Sequence, residues 1–111
     1  MIDIEKSVLG QIILYPQTHS YIMKLNPSWF SDFRKDLVAT IQELYLSNQP
    51  VNLSALASAH RQHIREIAIL QNNVSTNVYF EQEIQQLEVS YKKRTYKIRL
   101  RLWTLTKTLK N

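Results

Sequence analysis

Ile4-Glu5-Lys6-Ser7-Val8-Leu9-Gly10-Gln11-Ile12-Ile13-Leu14-Tyr15-Pro16 holds the only glycine of the 111-residue chain, set inside an apolar helical pattern and closed by a proline. Val8, Leu9, Ile12 and Ile13 form i,i+4 pairs on one face. Asp3 stands where a helix N-cap belongs, and Pro16 stops the run. Glycine in a helix interior costs about 0.5–1 kcal/mol relative to alanine, so Gly10 marks a place where another backbone is expected to come close.

Working outward, the same grammar repeats. A short second helix is expected after Thr18, carrying Tyr21, Ile22 and Leu25 and ending at Asn26-Pro27. Trp29 and Phe30 follow in a connector, where large aromatics plug a core. Ser31 or Asp32 caps a third helix with Phe33, Leu37, Ile41, Leu44 and Tyr45 on one face, and Asn48-Gln49-Pro50 ends it. Asn52 caps the next segment, in which Leu53 to Leu70 reads as one helix or two. After Asn72-Asn73, one of Ser75, Thr76 or Asn77 caps the last helical region. There Phe80, Ile84, Leu87 and Tyr91 are spaced 4, 3 and 4, and Ile98, Leu102, Leu105 and Leu109 repeat the spacing. Ile84, Tyr91, Ile98 and Leu105 fall seven apart, as along a helix–helix seam, with Arg94-Thr95 as a place for a bend. Tyr96 to Leu102 also alternates apolar and basic residues, which is strand grammar. A lone strand would lack a partner, so helix is the expected state.

One glycine and three prolines leave little room for hairpins. The expected fold is therefore all-α: a small single-domain bundle of five to six helices. Residues 1–78 are expected to form the bundle, and residues 79–110 a long basic helix or helical hairpin. The chain is long enough for one modest core, and 44% hydrophobic content argues against disorder. No run approaches the ~18 apolar residues of a membrane span, and no signal peptide is evident, so no membrane role and a cytoplasmic location are expected. The absence of cysteine excludes disulfides and thiolate metal sites.

Charge is segregated. Residues 1–91 carry six Lys/Arg against nine Asp/Glu, a net of −3, whereas residues 92–111 carry eight Lys/Arg and no acid. A basic tail on a mildly acidic body suggests an acidic partner, either nucleic acid or a protein surface. Lys92, Lys93, Arg94, Lys97, Arg99 and Arg101, interleaved with Tyr91, Tyr96 and Trp103, suit phosphate contacts and base stacking. The plainer reading leaves these cations solvated beside an apolar stripe.

The opening segment, "E-x-S-V-L-G-x-I-I-L-x-P", resembles the first helix of the N-terminal domain of bacterial replicative DNA helicases of the DnaB type. Asn26-Pro27-Ser28-Trp29-Phe30 resembles that family's "L-x-P-x-x-F" connector. Ile41 to Tyr45 with Gln49 to Ala57 resembles "L-Y…G-x-P-I-D-L-x-T-L-A", and Asn73 to Asn77 resembles "N-V-P-S-x-x-N". These segments span roughly residues 4 to 90 in the family's order. The family's "F-Y-x-x-x-H-R" is Phe30 to Asp36 here, without the histidine. The Gly-Gly segment is absent, His60 to Ile67 is shortened, and Asn52 replaces an acidic cap. A second resemblance covers Ile98 to Lys110, which is similar to the "E-R-L-x-L-W-T-L-x-x-x-L" terminus of the helicase-binding domain of some bacterial primases. That domain shares the fold. Both resemblances imply a non-catalytic interaction domain at the helicase–primase contact, with a primase or a replicative helicase as partner and self-association as a homodimer or higher oligomer. The longer N-terminal match favours the helicase side.

The residues show no nucleotide chemistry: no G-x-x-x-x-G-K-[ST] loop is present, and no cofactor is expected. No nucleophile–base arrangement stands out, so no catalytic residue is assigned. His60, His63 and Glu66 have helical spacing for a metal, but two such histidines read more simply as a solvated polar face. The expected interface is Ile84, Tyr91, Ile98, Leu102 and Leu105, because a stripe of ~30 residues at ~1.5 Å each exceeds what this body covers.

Overall fold

Asp3 accepts a hydrogen bond from the Lys6 N–H at 3.2 Å and starts α1, Ile4–Leu14. In the computed structural model, backbone is described for residues 3–72 and 78–109, and side chains for residues 3–72 and 78–96. Every regular element among them is helical. Four further α-helices follow: α2 (Phe33–Leu46), α3 (Leu53–Ala59), α4 (Ile64–Asn72) and α5 (Phe80–Leu109). Three 3₁₀ helices, Pro16–Lys24, Pro27–Trp29 and Arg61–His63, make connections between them.

Helix α1 is the centre of the body. Val8, Leu9 and Ile12 have no exposed surface, Gly10 is buried, and α1 packs against both α4 and α5. The lone glycine thus lies on the packed part of α1. The last carbonyls of α1, which no helical N–H can reach, are taken up by the next segment. The Thr18 hydroxyl donates to Tyr15 O at 2.7 Å, and His19 Nε2 lies 2.9 Å from Ile12 O.

The expected second helix is present as the 3₁₀ segment Pro16–Lys24, with the Thr18 N–H bonding Tyr15 O in the tighter i to i−3 pattern. The Gln42 side chain on α2 donates to Ile22 O and Leu25 O, fixing its end to the body. Phe30 is buried and Trp29 packs against the core, as expected of the connector.

Entry into α2 depends on a long-range contact. Asp32 occupies the N-cap position at φ 53° and makes no side-chain cap bond. Glu5 on α1 accepts from both the Ser31 N–H and hydroxyl at 2.9 Å, and Arg34 reaches Asp3 and Glu5. At the other end, Asn48 adopts φ 57°, while Asn48 N–H and Gln49 N–H bond Tyr45 O and Leu44 O. This is a Schellman ending with asparagine in place of glycine. Tyr45 is exposed rather than on the packed face.

Asn52 caps α3 through the Ala55 N–H at 2.8 Å. The Leu53–Leu70 stretch is two α-helices separated by the Arg61–His63 turn. The caps expected at Ser75, Thr76 or Asn77 lie outside the described residues. Helix α5 runs without a break through Arg94-Thr95 and through Tyr96 to Leu102, so neither the bend nor the strand forms. Among the described residues there is no strand to pair with, and one continuous i to i−4 ladder satisfies the backbone instead. At ~1.5 Å per residue α5 is ~45 Å long, and the molecule's longest axis, 57 Å, is about twice the other two.

Candidate interaction surface

Helix α5 is anchored at one end. Phe80 and Leu87 are 3% and 5% exposed, and Ile84 packs against the same core. Tyr21 meets the Phe80 ring edge-on at 5.7 Å, and Lys24 lies over the Tyr21 ring. The Gln11 amide, itself 1% exposed, donates to Glu83 Oε1 at 2.8 Å and to Ser7 Oγ at 3.0 Å, tying α5 to α1. Gln11 Oε1 is left without a protein partner, so the amide is held by its donors alone. Nothing in the residue spacing signalled this Gln11–Glu83 link, because it joins positions 72 residues apart.

Beyond Leu87 the anchoring fades. Tyr91 is half-buried, while Lys92, Lys93, Arg94 and Tyr96 are exposed. Of the five interface candidates, Ile84 therefore lies against the domain's own core, and Tyr91 is partly exposed. Ile98, Leu102 and Leu105 lie on α5, with side chains outside the described residues. Of the six basic candidates, Lys92, Lys93 and Arg94 are solvent-facing. Lys97, Arg99 and Arg101 lie beyond the last described side chain. Lys92 pairs with Glu88 at 3.0 Å across an exposed turn.

A second apolar element was not singled out from the spacing alone. Val89 is 50% exposed and Tyr96 64% exposed, seven residues apart and so on one side of α5. Successive helical residues turn by about 100°, which puts this pair roughly opposite the Leu87 and Tyr91 face. Val89 and Tyr96 share the heptad spacing of the buried stripe, and that spacing was the available signal.

The histidines turn to separate neighbours. His60 Nε2 lies 2.7 Å from the Thr40 hydroxyl, while His63 stacks on Phe33 at 4.2 Å and reaches Glu66 at 3.3 Å. Among the described residues no group of three His, Cys, Asp or Glu is placed to hold a metal ion. No described helix is long and apolar enough to cross a membrane.

An all-helical body that holds out one end of a long helix defines a module for contacts between proteins. The sequence model of the family described as "DnaB-like helicase N terminal domain" matches residues 1–88, and the chain belongs to that family. This is the non-catalytic domain of a replication helicase, concerned with oligomerisation and partner interaction, and the ATPase lies in a different domain of such helicases. No curated protein and no solved structure matches the chain. The matched stretch ends at Glu88, so the basic half of α5 lies beyond it.

Proposed function

We propose that this domain docks a primase and joins copies of a replicative helicase, using the free end of α5. The observation that carries the reading is the course of one stripe. It is buried at Phe80 and Leu87, half-buried at Tyr91, and continued in spacing by Ile98, Leu102 and Leu105 past the body that covers its start. Apolar area left in water is worth ~25 cal/mol per Å², which favours a covering partner helix.

The primase-side reading keeps one specific support, since the primase-like Ile98 to Lys110 segment lies outside the family-matched residues. One experiment separates the two. Immobilised chain is offered the C-terminal helicase-binding domain of a bacterial primase and, separately, a helicase N-terminal domain. Capture of the primase domain, lost in the Ile98→Asp/Leu105→Asp variant, is the expected result. Capture of the helicase domain alone leaves the self-association half of the proposal standing and removes the primase half. If neither binds and the wild type stays monomeric at high concentration, the docking reading fails.

A further inference from the structure

We infer that the outward face of α5, marked by Val89, Lys92, Lys93 and Tyr96, is a track for single-stranded nucleic acid. The inference does not rest on the docking reading, since it uses the side of the helix opposite the Leu87–Tyr91 stripe.

The first support is charge. Seven cations lie between Lys92 and Lys107 with no acid among them. At about 100° per residue, Lys92, Lys93, Arg99 and Lys107 fall on the Tyr96 side of the helix, whereas Arg94 and Arg101 fall on the Leu87 side. Four cations over ~23 Å is one per about 6 Å, roughly one for every second phosphate of a strand spaced at about 3.4 Å. Lys92, Lys93 and Arg94 are exposed, and only Lys92 among these three has an ion-pair partner, the partly exposed Glu88. An exposed pair of this kind is worth little and yields readily to phosphate.

The second support is the aromatic ring. Tyr96 is exposed beside these cations instead of turning into the core, and the sequence places Trp103 a further seven residues on. Flat rings alternating with cations stack bases while the charges hold phosphates, and the arrangement tolerates any base.

The third support is the lack of an acidic match within a second copy. Asp3 and Glu5 already meet Arg34, Glu66 meets His63, Glu83 meets Gln11 and Glu88 meets Lys92. The remaining carboxylates, Asp32, Asp36, Glu43 and Glu81, are split between α2, its lead-in and the first turn of α5. A linear polyanion complements a linear array of cations better than these scattered acids do.

The test is an anisotropy titration of the full chain with labelled oligothymidylate of about 20 nucleotides. With about four phosphates engaged at a slope of about −0.7 each, affinity should fall roughly 50-fold from about 50 to about 200 mM salt. Tyr96→Ala should cost roughly 10-fold without altering that slope, and Tyr96→Phe should restore the loss because the ring is kept. Lys92→Glu/Lys93→Glu should flatten the slope. Circular dichroism of each variant shows whether α5 is intact. Absence of binding at about 50 mM salt overturns the inference. So does equal competition by polyglutamate with no effect of Tyr96→Ala, which would assign the arm to an acidic protein surface.

Discussion

The two halves of α5 share one backbone and one heptad spacing, yet the physics that orders them differs. From Phe80 to Tyr91 the helix has three glutamates and no cation, and the body holds it through Phe80, Leu87 and the Gln11–Glu83 bond. From Lys92 onward it has only cations, and its first described side chains, at Lys92 to Arg94, face solvent. Nucleating a helix is its costly step, and the like charges four apart at Lys93, Lys97 and Arg101 oppose it, so the basic half borrows its order from the anchored half by propagation. The anchored half is thus a nucleus and the basic half an extension that a partner can stabilise.

That contrast is broken most severely by emptying the anchor. Phe80→Ala removes a ring that is 3% exposed and edge-packed on Tyr21, and should cost about 3–5 kcal/mol in a urea unfolding curve. Val89→Ala, on the same helix but half exposed, should stay within about 0.5 kcal/mol. Similar losses at the two positions would mean that the body does not stop where α5 turns basic.

A sharper probe is the polar link. Gln11→Met leaves Glu83 without its donor and should cost about 1–3 kcal/mol, because an acceptor half-removed from water loses its bond. Replacing both partners, as Gln11→Met/Glu83→Met, should recover most of that loss, since the Glu83 acceptor left unpaired in the single variant is then gone as well. A double variant no better than the single would show that Glu83 has another role in holding α5.

Local rules written in the residues carried much of this fold. Asp3 and Asn52 could be named as caps because a side-chain oxygen beside the first turn satisfies a free N–H wherever the helix sits. Asn48 ended α2 for a similar reason, since asparagine tolerates the left-handed φ of 57° that a Schellman ending needs. The entry to α2 was legible only in part. Either Ser31 or Asp32 was a reasonable cap, but the hydrogen bonds go from Ser31 to Glu5, 26 residues away. The Tyr96–Leu102 alternation fitted strand and helix equally by period. The lack of any second strand pattern favoured helix, and continuity with the anchored part of α5 bears that out. For the candidate surface, the buried stripe at Phe80 and Leu87 followed from spacing. The exposure of Val89 and Tyr96 did not, because a heptad says which residues share a side but not which side faces the body.

The mildest prediction sits on the seam between the halves. Glu88 is the last acid of α5 and Lys92 the first cation, four residues apart and 3.0 Å across, in the favourable order with glutamate nearer the N-terminus. Both side chains are substantially exposed, at 41% and 71%, so water and salt screen the pair. Glu88→Gln should therefore cost only about 0.3–0.5 kcal/mol, with most of that difference gone at about 1 M salt. A larger, salt-insensitive loss in thermal unfolding would place this pair against a covering surface rather than in solvent. The anchored half would then extend at least one turn beyond Glu88, and the free arm would begin nearer Tyr96.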